Sequence, residues 1–134
     1  MYIPEFFRPQ ELVPNSVWSE RGMNSLELLD DRLLITLDDL RKAYGSITIN
    51  DWLWGGKNHW RGLRTSDSPV GTQYSQHRFG RAADCTFRHV SAEDVRADIL
   101  NHPDRFPLIN SVELDTSWLH FDVRNCERIK TYRP

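Results

Sequence analysis

From Asn24 onward, Leu26, Leu29, Leu33, Leu37, Leu40 and Tyr44 fall at steps of three, four, four, three and four residues, which lines one face of an amphipathic helix. Asn24 with Glu27 has the form of a capping box, and Gly45 supplies a stop. The spacing predicts one helix over 24–44. Directly after it, Ser46-Ile47-Thr48-Ile49-Asn50 alternates polar and apolar over a β-branched stretch, the pattern of a short strand with Ile47 and Ile49 facing inward. Period-two alternation returns over 82–87, with Ala82, Asp84 and Thr86 on one face and Ala83, Cys85 and Phe87 on the other. Cys85 is therefore expected to point away from Asp84. A second helix is predicted to begin at Ser91, with Asp94 at the box position and Val90 placed to staple onto Val95, and to end near Asn101, before Pro103. Strands follow at 109–114 and 118–123, separated by the turn-like Asp115-Thr116-Ser117. In the second of them Trp118, His120 and Asp122 share a face opposite the apolar Leu119, Phe121 and Val123.

Two stretches lack this order. Pro4, Pro9 and Pro14 mark residues 1–23 as an irregular N-terminal wrap. Residues 51–72, with Gly55, Gly56, Gly62, Pro69 and Gly71, read as a loop, and loops that long inside a compact domain are usually functional. No repeat, low-complexity tract or linker divides the 134 residues, so a single domain over 1–134 is expected. Few helices and several antiparallel-looking strands indicate an α+β fold, an antiparallel sheet flanked by helices.

Composition narrows the function classes. With 39% hydrophobic and 27% charged residues the chain is globular rather than disordered. A formal charge of -2 and the lack of a basic run argue against non-specific nucleic-acid binding. Two cysteines, Cys85 and Cys126, are too few for a disulfide framework and lack the paired spacing of a cysteine zinc module. No apolar run approaches the ~20 residues that span a bilayer, so membrane insertion is not expected.

The segment with most chemical content is Ser75-Gln76-His77-Arg78-Phe79-Gly80-Arg81-Ala82-Ala83-Asp84. If Gly80 bends the chain, His77 approaches Asp84 on the following strand, and Ala82 and Ala83 leave room beside them. A lone strand His is more often a structural hydrogen-bonding group, and Asp84 alone reads equally as a turn or salt-bridge carboxylate. Together with His120 they make a candidate His-Asp-His set, since catalytic zinc usually takes three protein ligands drawn from His and carboxylate.

Ser75-x-His77-x-x-Gly80-x-Ala82-x-Asp84 followed by Trp118-x-His120 resembles the two signature segments of the D-Ala-D-Ala carboxypeptidase and endolysin zinc peptidases. That family includes the vancomycin-resistance D,D-dipeptidase and is structurally related to the hedgehog signalling domain. Asp51-Trp52, Gly55-Gly56 and Arg61-Gly62-Leu63-Arg64 are similar to the upstream region of phage-encoded relatives. The resemblance implies a hedgehog/DD-peptidase-like fold, one zinc ion on His77, Asp84 and His120, and peptidoglycan stem peptide as substrate. Arg64 resembles the arginine that precedes the metal motif, where it would steady an oxyanion or a substrate carboxylate; read without the resemblance, it is a surface ion-pair residue. The position three before the second His, Glu or Asp in the best-known members, is Ser117 here. Glu113 and Asp115 are then the candidates for general base, with Glu113 favoured because hedgehog-type members place a Glu further upstream. Asp122 is a candidate to orient a ligand His or the substrate amine, Trp118 to wall the cleft, and Ser75 and Gln76 to bind substrate.

The N-terminus lacks the charged start and apolar core of a secretory signal. The expectation is a monomer made in the cytoplasm that acts on the wall after release, as phage lysins do. The rival expectation is a non-catalytic zinc domain of the same fold that serves structure or interaction.

Overall fold

The leucine-rich stretch folds as a helix, but in two pieces. In the computed structural model, which describes residues 1–134, Gly22–Leu28 forms 3₁₀ turns and the α-helix proper runs from Asp31 to Tyr44 (α2). Leu29 between them is extended, with φ −112° and ψ 135°. The cap is therefore Asp30 rather than Asn24: its carboxylate accepts from the Arg32 N–H at 2.9 Å, satisfying a donor at the helix start. The Arg32 guanidinium, bonded to the same carboxylate, holds Asp30 below the usual carboxylate range. Leu26, Leu29, Leu33, Leu37 and Leu40 remain buried together despite the break, each burial contributing roughly 1.5–3 kcal/mol of transfer free energy.

The N-terminal wrap is more ordered than its prolines suggest. Pro9–Glu11 is a 3₁₀ turn and Asn15–Arg21 an α-helix (α1). Pro14 stands at the N-cap with φ −68°, where the missing N–H costs nothing because the first helical turn has no partner for it. Leu12, Val13 and Val17 join the core.

Five strands form one sheet: Ile47–Thr48 (β1), Ala82–Phe87 (β2), Ser111–Glu113 (β3), Leu119–Asp122 (β4) and Lys130–Tyr132 (β5), in the order β1-β2-β4-β3-β5. Neighbours are antiparallel except β5, which runs parallel to β3. The sheet is thus mixed, not antiparallel throughout, because β5 adds a strand with no counterpart in the hydrophobic pattern. The third helix, Ala92–Asn101 (α3), starts on Ser91, whose hydroxyl accepts the Asp94 N–H at 3.0 Å. Helices α2 and α3 contact β2, where Ala83, Cys85 and Phe87 meet Leu119, Phe121 and Val123 in one core. The fold is α+β, with the inward and outward faces of β2 and β4 as the alternation requires.

The long loop after β1 is tied down by backbone bonds. Leu63 N–H donates to the Leu12 carbonyl at 2.8 Å, Arg64 N–H to His77 at 3.0 Å, and Asp84 N–H to Arg61 at 2.8 Å. Only glycine fits at 62, since a Cβ there would lie 2.1 Å from the Leu12 carbonyl oxygen.

Candidate metal centre

Asp84 of β2 and His120 of β4 are direct partners in the antiparallel register, so their side chains leave the same face of the sheet. His77 arrives from the 3₁₀ turn Gln76–Phe79 just before β2. Gly80 ends that turn at φ 67°, and a Cβ there would stand 2.0 Å from the Leu28 carbonyl. This left-handed glycine reverses the chain and lets His77 come back over Asp84.

Each ring has one nitrogen fixed and one turned to the centre. The His77 Nδ1–H donates to the Gly62 carbonyl at 2.8 Å, leaving Nε2 3.3 Å from Asp84 Oδ1. His120 Nε2 lies 3.0 Å from Asp122 Oδ2, and its Nδ1 is 2.9 Å from Asp84 Oδ1. Asp122, fully buried, is gripped in turn by Arg124, Nε to Oδ1 and Nη2 to Oδ2, both at 2.7 Å.

The three side chains are buried, and one ligand atom from each lies within 4.8 Å of the others. A tetrahedral ion with ligands at about 2.0–2.1 Å sets those ligands roughly 3.3 Å apart. Asp84 Oδ1 stands 2.9 Å from His120 Nδ1 and 3.3 Å from His77 Nε2, close to that spacing. A carboxylate behind a ligand His is the usual means of fixing its orientation and raising its basicity. His77, Asp84 and His120 can therefore hold a metal ion.

Without a metal the cluster stores a proton. Burial alone would push His120 down, but the hydrogen bonds to Asp122 and Asp84 outweigh it and raise its pKa to about 9. Burial lowers His77. Asp84 is opposed by burial, yet its bonds to His120 and His77 drive it far below the usual range. The arrangement places an imidazolium beside one oxygen of an ionised Asp84, with the Arg64 guanidinium at 3.4 Å from the other, and a metal cation that displaces the proton meets the same partners.

A cleft of about 430 Å³ opens over these atoms, lined also by Arg64, Ser75, Gln76, Glu113, Trp118, Arg124 and Tyr132. Glu113 Oε2 lies 4.0 Å from His120 Nδ1. Arg64 is no surface residue: Nε donates to the Trp60 carbonyl at 2.7 Å and Nη2 sits 3.4 Å from Asp84 Oδ2. Ser75, Gln76 and Trp118 line the cleft as expected, and Gln76 Oε1 is buried without a partner. Two candidates fall elsewhere. Asp115, in the turn after β3 at φ 61°, is exposed and pairs with Arg133 at 2.6 Å, outside the cleft. Asp122 stands behind His120 rather than in the cleft, because its carboxylate is consumed by His120 and Arg124.

Arg124 and Tyr132 are among the cleft residues that the pattern of the sequence missed, with Gly71, Thr72 and Tyr74 of the preceding loop. Tyr132 reaches the site on β5, in register with Glu113 on the neighbouring β3. Its ring meets His120 edge-on at 5.9 Å, with the Arg124 guanidinium over it at 5.2 Å. Burial, with Glu113 and Asp122 nearby, pushes its phenol well above the ordinary value, so it stays a hydrogen-bond donor at neutral pH.

No protein-family model matches the chain, and neither a curated protein nor a solved structure matches it significantly. Fold and site together define an α+β domain with a buried His-Asp-His group able to hold a metal ion. What that group does has to follow from the residues around it.

Proposed function

We propose that the protein is a zinc metallopeptidase that hydrolyses a peptide bond in bacterial peptidoglycan stem peptides, of the D-Ala-D-Ala carboxypeptidase or L-Ala-D-Glu endopeptidase type and phage-lysin-like. The observation that carries this reading is that a carboxylate, Glu113, shares one cleft with the three ligand side chains, its one ion-pair contact being His120 Nδ1 at 4.0 Å. A structural metal site is normally closed by four protein ligands, whereas a catalytic one keeps a position open beside an acid–base group. The resemblance of the His77–Asp84 and Trp118–His120 segments to wall-lytic zinc peptidases supplies the substrate class.

A zinc ion bound there supplies a Lewis acid that lowers the pKa of water toward ~7. Glu113 accepts the proton of the attacking water as the new C–O bond forms at the amide carbon. The same carboxyl group then delivers that proton to the departing nitrogen as the C–N bond breaks. Arg64, partly desolvated and held by Trp60 and Asp84, donates to the oxygen on which negative charge develops. Beside the charged Arg64, Tyr132 offers a second donor, a neutral one. Gln76 Oε1, buried and unpaired, accepts an N–H of the peptide, which removes its desolvation penalty. Trp118 forms an apolar wall.

The test is zinc content together with hydrolysis of purified peptidoglycan, for the wild type and for His120→Ala, Glu113→Gln and Asp115→Ala. One zinc per chain, with activity lost in His120→Ala and Glu113→Gln and kept in Asp115→Ala, is the expected result. One zinc without hydrolysis of any wall peptide would assign the chain instead to a non-catalytic zinc domain, and absence of metal binding would remove both readings.

A further inference from the structure

The loop between β1 and the metal motif has a use that the hydrolytic scheme leaves open. A second cavity of about 300 Å³ adjoins the cleft and shares Arg64, Asp84 and Trp118 with it. Its outer wall is the 57–61 stretch of the loop, where Lys57 and Arg61 add two cations. None of the ion pairs in the chain uses either of them. Asp84 is the only carboxylate on the lining, and it is already engaged by His77, His120 and Arg64. In a chain of net charge -2, this excess of cations is local to the arm.

Arg61 is held in place rather than left loose in solvent. Its backbone N–H donates to Asn50 Oδ1 at 2.9 Å and its carbonyl accepts from Asp84 N–H at 2.8 Å. Its guanidinium donates to the Thr86 hydroxyl at 3.0 Å and lies 5.6 Å over the Trp118 ring. One such bond leaves most of its five donors free, and a fixed guanidinium fork matches a carboxylate. Trp60 and Trp118 flank the arm with apolar surface.

We propose that this arm binds a carboxylate of the substrate, carried by the residue next to the scissile bond, with Arg61 and Lys57 as its partners and the two tryptophans against its aliphatic part. The inference rests on the peptidase reading for the position of the scissile bond. It makes the protein selective for stem peptides with free acids over those whose carboxylates are amidated.

The experiment is calorimetric binding of a stem pentapeptide and of its fully amidated form to zinc-loaded Glu113→Gln protein, at low and at high salt. The free acid is expected to bind at least about tenfold tighter, as a charge-assisted pair allows, and to lose part of that advantage as salt rises. In Glu113→Gln carrying Arg61→Gln and Lys57→Gln, the free acid should fall to the affinity of its amide. Removing two cations from α2 instead, by Arg41→Gln and Lys42→Gln, should leave the difference intact. Equal affinity for the two peptides, no binding of either, or a preference that survives loss of Arg61 and Lys57 would overturn the proposal. Wild-type hydrolysis, measured alongside, separates the cases: turnover without acid preference sinks the arm alone, and acid preference without turnover sinks the peptidase alone.

Discussion

Replacing Asp122 by Asn tests whether the site is built to hold a metal or merely contains its ligands. Asp122 is fully buried, does not itself line the cleft, and connects His120 Nε2 at 3.0 Å to Arg124 at 2.7 Å. A neutral amide keeps one acceptor oxygen: at the Oδ2 position it still accepts from His120 and Arg124 Nη2 but sets its NH₂ against Arg124 Nε, and flipped it sets the NH₂ against His120. Either His120 loses the partner that fixes its tautomer, or Arg124 faces an NH₂ group. Loss of such a carboxylate behind a ligand His typically costs about 10–100-fold in metal affinity, which is about 1.4–2.8 kcal/mol. The folded state also loses a buried pair worth up to roughly 3 kcal/mol, discounted because the Arg124 side chain keeps 21% exposure. Affinity is therefore read by competition with a chromophoric zinc chelator at a temperature where circular dichroism shows the variant folded. A zinc affinity within about twofold of wild type in folded protein, well short of the range expected for such a partner, would show that Asp122 does not support His120, and the reasoning from the tautomer would fail.

Other outcomes follow from the same geometry. Gly62→Ala pushes a methyl group to 2.1 Å from the Leu12 carbonyl and displaces the Gly62 carbonyl that receives His77 Nδ1–H; a loss of about 1–3 kcal/mol in chemical denaturation with weaker zinc binding is expected, and an unchanged denaturation midpoint would refute the close packing. Zinc binding near pH 7 should release about one proton, because His120 in the metal-free chain has its pKa raised to about 9 and must lose the Nδ1 proton to ligate; calorimetry in buffers of different ionisation enthalpy measures it, and the release should fade above about pH 9. Burial, with the bond to Asp98 at 2.9 Å, raises the Tyr44 phenol to about 12. A raised folded pKa stabilises fully below the unfolded value of about 10 and is lost as pH rises through the folded one. Tyr44→Phe should therefore flatten the loss of stability between about pH 10 and 12, as read by denaturation at each pH.

The faces of β2 and β4 were legible because one side of each strand is buried, so alternation fixes which residues meet the core and which meet the cleft. That is why Asp84 and His120 could be placed opposite Cys85 and Leu119 from spacing alone. The break at Leu29 was invisible because the 3₁₀ turns keep Leu26 and Leu29 on the core side, leaving the apolar rhythm continuous. Strand β5, with the sequence Lys-Thr-Tyr and only Tyr132 half-buried, carries no apolar signal, so Tyr132 reached the site unannounced. Glu113 and Asp115 have the same parity, and what separates them is backbone conformation: β3 ends at Glu113, and the positive φ at Asp115 turns its carboxylate outward toward Arg133.

The pleat that sorts these residues also divides the molecule's capacity to change. Substitutions at Ala83, Cys85, Leu119 and Phe121 alter packing, and those at Asp84, His120 and Asp122 alter chemistry, although the two sets alternate along the same ten residues. Drift on one side can proceed without disturbing the other as long as the count of residues between Ala82 and Asp84, or between Leu119 and Asp122, is kept. A single inserted or deleted residue within either strand would move its ligand into the core and a core side chain into the cleft. Length variation among descendants of this chain should therefore collect in the 65–74 segment and the turn at 115–117, and be missing from β2 and β4.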